Sequence, residues 1–382
     1  MISVKLKDGS EEQFHVAWLR DSCRCPKCVN PETFQKLFNP ATVDQDILSP
    51  IEMAYDGKNL CITWKENESH YHTSKYPLEW LSKFKGKFFR PPKGSREYPD
   101  DLTYRLKNMP VLIHWDKHLI SKSNLTKDYT QIMESDEELK GLVRLLCSFG
   151  IAIIKGSPRE ENVVLKVARR IAYERITNYG VTFDVRDVRD PGSHFAYSAA
   201  PIEPHSDLCY RDKIPGVQLL HCIRSAVGEG FSQFSDGFHC ASLLRSREPE
   251  LFQVLSKPVM FAFFDPQTAG WYREQWPLIT AEENGEIKRT NFSIFALRPP
   301  ILPYDQLELF YRAFKEFYNL IESSENQWKI LMSPGDIAIF NNCRVFHGRT
   351  GYDSGKSDRF LQGCYMDWDE ILAMYEKLHE HN

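Results

Sequence analysis

The 382-residue sequence is informative first for what it lacks. It contains no run of about 18 apolar residues, so no segment reads as crossing a bilayer. The opening "MISVKLKDGSEEQF" has no apolar core and carries Asp8, Glu11 and Glu12, so neither a signal peptide nor a transit peptide is expected. A formal net charge of −4 offers no global field for nucleic acid or an anionic membrane, and neither is expected as a partner. Repeats and low-complexity stretches are absent. The ten cysteines do not form a disulfide framework, because seven scatter singly and three crowd into Cys23–Cys28. A reducing, cytoplasmic setting is the expectation.

What is present suits a large catalytic domain with a smaller one attached. Aromatic residues make up 13% of the chain, enough to fill a core and leave rings to line a site. Residues 1–95 read as short strands and turns, and the basic "KFKGKFFRPPKGSREYP" (83–99) reads as a linker. Domains over 1–95 and 96–382 follow. Helices are expected at "DEELKGLVRLLCSFG" (136–150), capped by Gly150, and at "REENVVLKVARRIAYER" (159–175), with the strand "IAIIKG" between them. From about residue 180 strands dominate: "GVQLLHCI", "PVMFAFF", "NFSIFALR", "WKILMS" and "DIAIFNN". Helical segments interrupt them only near 237–257 and 304–323. This is a mainly β chain with flanking helices, an antiparallel double-stranded β-helix or jelly roll.

Within "IEPHSDLCYR" (202–211), His205 and Asp207 share one face of a strand end, since residues two apart do so. An imidazole and a carboxylate suit Fe(II) or Mn(II), and a facial triad needs one more His. His347, in "IFNNCRVFHGRTGY", supplies it after the Pro334-Gly335-Asp336 turn. Arg359 lies one strand further on, and a guanidinium fork pairs bidentately with a carboxylate. A lone His-x-Asp is a common surface turn; the joint pattern is not.

"CRCPKC" sets Cys23, Cys25 and Cys28 within six residues, three thiolates that want a tetrahedral zinc and a fourth ligand. His70 and His72, in "ESHYHTSKY", are the candidates. With four protein ligands the site would be structural, bracing a small N-terminal domain with little core of its own. His221, in "LLHCI", reads as a core residue.

The chain resembles the gamma-butyrobetaine and trimethyllysine dioxygenases, a branch of the Fe(II)/2-oxoglutarate oxygenases. The resemblance runs from about Phe14 to Trp368. It rests on "VAWLRDSCRCPKC", "NYGVTFDVR", "FAYS…PHSD", "PGVQLLHC", "SDGF", "SPGDIAIFNNCRVFHGR" and "RFLQGCYMDWD". It implies that His205, Asp207 and His347 bind iron and that Arg359 holds the far carboxylate of 2-oxoglutarate. Ser232 falls where the wider superfamily has a supporting hydroxyl, here after Gly228-Glu229-Gly230-Phe231 and not the usual Gly-Gly-acid. By its spacing to Trp80, His72 matches the family's zinc ligand. The implied chemistry is decarboxylation of 2-oxoglutarate to succinate and CO2, coupled to hydroxylation of an unactivated C–H bond, with ascorbate as reductant.

Tyr179, Phe183, Tyr197 and Tyr365 match the family's cage for a trimethylammonium group, which aromatic faces receive because it has no N–H to donate. Phe183 stands where the well-known members have Trp. His194 stands where the butyrobetaine enzymes have a substrate-binding Asn, and "TNFSIFALR" lacks their Asn pair. The resemblance thus implies a gamma-butyrobetaine hydroxylase forming carnitine from a small trimethylammonium substrate, and the family's habit of pairing leaves a homodimer open. Three alternatives stand beside it: a hydroxylase of trimethyllysine or another trimethylammonium acid or phosphonate, a non-catalytic ligand-binding jelly roll, and a zinc hydrolase.

Overall fold

The computed structural model describes residues 1–33, 35–44, 46–85, 109–186, 199–226, 228–266, 268–282, 284–353 and 358–380. The chain divides into two compact units, Met1–Arg105 and Leu106–Asn382. The expected boundary at 95/96, most of the linker, and His194 and Tyr197 of the substrate site lie outside the described residues.

In the first unit, β1 (Ile2–Lys5) and β2 (Glu11–Phe14) form a hairpin. β3 (Ser49–Tyr55), β4 (Asn59–Lys65) and β5 (Tyr71–Pro77) form an antiparallel sheet in that order. Alternation along β4 buries Leu60, Ile62 and Trp64, which join Phe14, Leu19, Tyr76 and Leu81. The unit therefore has a core of its own, more than its short strands suggested, because large rings occupy the inward positions.

The second unit carries the expected jelly roll. Its strands are β6 (Thr126–Asp128), β7 (Ile151–Lys155), β8 (Phe183–Arg186), β9 (Ile202–His205), β10 (Val217–Arg224), β11 (Ser232–Asp236), β12 (Pro258–Asp265), β13 (Gly270–Pro277), β14 (Ile279–Ala281), β15 (Ile287–Thr290), β16 (Gln327–Ile330), β17 (Ile337–Asn341), β18 (Val345–Arg349) and β19 (Phe360–Met366). One sheet runs β6-β7-β17-β10-β19-β8 and faces a second, β16-β11-β18-β9. Every pairing is antiparallel except that of β6 with β7.

The larger sheet is buried on both faces, so its strands read as continuous apolar runs and not as alternating ones. Val217, Leu219, Ile337 and Ile339 pack with the helices Asp136–Phe149, Val163–Ile171 and Trp368–Glu380. Their neighbours Leu220, Ala338 and Phe340 pack on the opposite face with Phe234 of the second sheet. His221 is fully buried, its Nε2 3.1 Å from the Ser157 hydroxyl.

Helix ends follow local chemistry. The helix Asp136–Phe149 opens on Ser135, whose hydroxyl accepts from the Glu138 N–H, and closes on Gly150 at φ 75°. The helix expected over 159–175 spans only Val163–Ile171, because Asn162 is left-handed at φ 67° and Ala172 leaves helical geometry. The segment expected near 237–257 is two helices, Gly237–Arg247 and Pro249–Leu255, since Pro249 lacks an N–H and restarts the helix at its first position. "NFSIFALR" is not a strand. It forms a turn in which Ala296 and Leu297 donate to the Ser293 carbonyl, while the Phe292 carbonyl accepts from Ser206 N–H.

One buried ion pair joins these layers. Arg344, just before β18, and Asp236, ending β11, are 1% and 0% exposed. The guanidinium reaches both Asp236 oxygens, at 3.1 and 2.9 Å, and the carbonyls of Ser148 and Ile113. The same carboxylate caps the next helix through the Phe238 N–H and accepts from Trp115 N–H. Arg344→Ala strands that carboxylate in the interior. We expect a loss of about 3–5 kcal/mol in urea unfolding; a loss under about 1 kcal/mol would show that water satisfies Asp236 instead.

Candidate functional site

β18 lies between β9 and β11, and its register sets the metal face. His347 stands directly opposite His205 on β9 and Phe234 on β11. Two residues later Arg349 stands opposite Ser232. His205, Asp207 and His347 each bring a donor atom to within 4.8 Å of the others. With metal–donor bonds of about 2.1 Å, cis ligands of an octahedral ion stand about 3 Å apart. His205 Nε2 is 3.1 Å from Asp207 Oδ1, and His347 Nε2 is 3.9 Å from Asp207 Oδ2. These residues could hold one divalent cation on a single face, with the opposite positions open to ligands.

Surrounding groups prepare the donors. The His205 Nδ1–H donates to the Glu203 carbonyl at 2.8 Å, which fixes the tautomer and frees Nε2 for a metal. Asp207 is held from two sides. Asn342, fully buried, accepts the Asp207 N–H at 2.8 Å and donates to its carbonyl at 3.0 Å. The Tyr365 hydroxyl donates to Asp207 Oδ2 at 2.7 Å. Burial works to raise the Asp207 carboxyl, but His347, His205 and the Tyr365 hydroxyl keep it well below the usual range. Burial presses His347 down to about 3. At neutral pH both groups are thus already in the deprotonated state that a metal requires.

These groups open into a cavity of about 250 Å³. Its lining includes Arg349, Arg359 and Ser232, all buried. Arg359 Nη1 has no partner among the described residues, and both guanidinium groups lie against the Tyr352 ring. Burial, then the charge on Arg349, lowers Arg359 to about 10, so it stays cationic at neutral pH. A buried guanidinium with an unused N–H fits a carboxylate ligand. Elsewhere the wall is aromatic. Phe183 stacks on Tyr365 with centroids 4.8 Å apart, and the Tyr179 hydroxyl is 3.4 Å from that of Tyr210, which stacks on Phe263. Glycine is required at 363, because a Cβ there would lie 2.3 Å from the Phe183 ring.

The structure therefore brings His205, Asp207, His347, Arg359, Ser232, Tyr179, Phe183 and Tyr365 to one cavity. Sequence reasoning missed Arg349, although its place two residues after His347 puts it on the same strand face. It also missed Asn342 and Gln218. Tyr365 had been expected only as a cage ring, and its hydroxyl reaches a metal-ligand candidate as well.

In the first unit Cys23, Cys25, Cys28 and His72 form the second cluster. The three sulfurs stand 3.4, 3.7 and 3.5 Å from His72 Nε2. Zinc with bonds of about 2.3 Å to sulfur and 2.0–2.1 Å to nitrogen puts such atoms about 3.6 Å apart in a tetrahedron. The four residues fit that ion. His70 is turned away, mostly exposed, with Nε2 3.5 Å from Glu66 Oε2. Burial pushes the Cys28 thiol up to about 12, so a cation is needed to hold it as thiolate at neutral pH.

Two tests follow. Elemental analysis should find about one zinc per chain in the unaltered protein and in His70→Ala, and none in His72→Ala; the reverse result would reassign the ligand. Tyr365→Phe should weaken Fe(II) binding about tenfold in anaerobic titration with zinc unchanged. Unaltered Fe(II) affinity would show that the hydroxyl does not support Asp207.

Known proteins resemble the chain across both of its units. The pattern of "Taurine catabolism dioxygenase TauD, TfdA family" matches residues 116–365, and that of "Gamma-butyrobetaine hydroxylase-like, N-terminal" matches residues 1–82. Gamma-butyrobetaine dioxygenase of Pseudomonas sp. (strain AK-1) is 30% identical over 374 residues, 97% of this chain and 92% of that protein. The Homo sapiens gamma-butyrobetaine dioxygenase is 29% identical, over 98% of this chain and 93% of that protein. Mitochondrial trimethyllysine dioxygenase of Mus musculus is 27% identical, over 95% of this chain and 82% of that protein. Among the described residues no helix is long and apolar enough to cross a membrane. The chain belongs to the gamma-butyrobetaine and trimethyllysine dioxygenase family, within the Fe(II)- and 2-oxoglutarate-dependent oxygenases.

Proposed function

We propose that this enzyme hydroxylates gamma-butyrobetaine, forming carnitine with release of succinate and CO2. In this reading His205, Asp207 and His347 hold Fe(II), and Arg359 binds the distal carboxylate of 2-oxoglutarate beside Ser232 and Arg349. Tyr179, Phe183 and Tyr365 receive the trimethylammonium group, and His194 and Tyr197 belong to the same substrate site. Ascorbate serves as reductant, and zinc in Cys23, Cys25, Cys28 and His72 stabilises the first unit.

One observation carries this reading: a single cavity joins a His-Asp-His face, a buried guanidinium with an unused N–H, and a wall of aromatic rings. Iron with a bound 2-oxo acid supplies the oxidising chemistry when dioxygen arrives. The chain's own residues bind and aim. Arg359 and Ser232 orient the cosubstrate, Tyr365 and Asn342 steady Asp207, and the rings keep water from a charge that aromatic faces can solvate. No general base is required among the cavity residues.

A second reading, another trimethylammonium acid such as trimethyllysine, is favoured by the turn at "NFSIFALR". There Ser293, Phe295 and Ala296 line the cavity, so the far end of the substrate meets a wall with no Asn pair. The test is succinate release by the purified chain with Fe(II), 2-oxoglutarate and ascorbate across a panel of trimethylammonium acids. Turnover with butyrobetaine well above the others supports the first reading, and preference for another acid replaces it with the second. Stimulation by none of them would sink both. Asp207→Ala should lower turnover by at least about a thousandfold while zinc content stays intact.

A further inference from the structure

Gln218 interrupts the apolar run of β10. Its neighbours Val217 and Leu219 face the helix-covered core, whereas Leu220 faces the space between the sheets. By alternation Gln218 shares that inner side, and it lines the cavity. The residue is 1% exposed, yet its Oε1 has no hydrogen-bond partner among the described residues. Its cross-strand neighbours cannot provide one. Phe340 on β17 has no donor, and Tyr365 on β19 commits its hydroxyl to Asp207. A buried carbonyl oxygen left in this state is costly, and such groups in native proteins normally have a partner.

We propose that the Gln218 carboxamide is the polar wall of the quaternary-ammonium subsite, its carbonyl dipole meeting the charge that the rings surround. A trimethylammonium group spreads its positive charge over nine methyl hydrogens and has no N–H. A carbonyl oxygen meets it through C–H···O contacts and ion–dipole attraction, both strengthened where water is excluded. Tyr365, directly across from Gln218, is the ring that brings this oxygen beside the cage. The rings recognise shape and charge together, whereas the carbonyl recognises charge alone. Gln218 is therefore a specificity residue, selecting a cationic head over a neutral one of the same shape. This inference rests on the trimethylammonium reading above.

The test uses the full chain loaded anaerobically with Fe(II) and 2-oxoglutarate, so that binding is measured without turnover. Two ligands are titrated by calorimetry: butyrobetaine, and its isosteric acid in which carbon replaces the quaternary nitrogen. In Gln218→Met, which keeps the shape and removes the carbonyl, butyrobetaine should bind about tenfold more weakly and the neutral acid should change less than about twofold. Gln218→Glu retains an oxygen and adds charge, so its preference for the cationic ligand should rise several-fold; this arm holds if the Met variant does not fold. Equal weakening of both ligands, an unchanged preference in the variants, or loss of Fe(II) in the Met variant would overturn the assignment. A wild-type protein that binds neither ligand would instead fail the trimethylammonium reading itself, and this inference with it.

Discussion

The catalytic unit depends on the register of one strand. In β18 side chains alternate between faces, so His347 and Arg349 enter the cavity together or leave it together. A slip of one residue would turn both outward, removing a metal ligand and a guanidinium in a single step. That register is pinned before the strand begins. Asn342 ties the turn to the Asp207 backbone and to the Pro215 carbonyl. Arg344 ties it to Asp236 at the end of β11. The anchor of the neighbouring strand thus fixes the one that carries the distal histidine, and the buried ion pair is a positioning device before it is a source of stability.

The two metal-ligand clusters show how different purposes leave different marks. The donor atoms of Cys23, Cys25, Cys28 and His72 lie close together, a set of four that would close a tetrahedral coordination sphere. Arg20, itself buried, donates to Cys28 Sγ at 3.3 Å and pairs with Glu66, so the concentrated thiolate charge meets a cation inside the fold. His205, Asp207 and His347 instead occupy one side and leave the other facing a cavity. With a bound ion the first arrangement would brace a small unit. The second would leave coordination positions through which ligands could enter.

Much of this was legible because its signals are local or strongly chemical. The His-x-Asp pair, the Cys triplet and the Gly150 cap each announce themselves within a few residues, and doubly buried strands leave unbroken apolar runs. What stayed hidden depends on partners distant in sequence. "NFSIFALR" has strand composition, but its backbone is recruited by Ser206 and Ala262 into a turn against the metal strand. Nothing in "FNNC" says that the second Asn will clamp a carboxylate residue 135 positions earlier. In the sequence only the spacing to Trp80 separates His72 from His70, whereas the fold sets His72 Nε2 beside the thiols and His70 beside Glu66. The core of the first unit is larger than its short strands suggest, because Trp64, Tyr76 and Phe14 bury much with few residues.

The distribution of charge in the cavity narrows what it can receive. Among its described lining residues the guanidinium side chains, Arg349 and Arg359, both lie against the Tyr352 ring. Two guanidinium groups that close repel each other, and Arg349 contributes to the lowered affinity of Arg359 for its proton. A dianionic ligand such as the proposed 2-oxoglutarate would relieve that repulsion, so binding it and completing the site would be one electrostatic event. Away from the guanidinium groups the lining combines the Tyr179, Phe183, Tyr210 and Tyr365 rings with the Gln218 amide, and the carboxylate it includes, Asp207, is one of the candidate metal ligands. Phe295 also lines the cavity, its ring edge-on to His205 with centroids 5.5 Å apart. An apolar ring at this point of the lining discriminates by shape and not by charge.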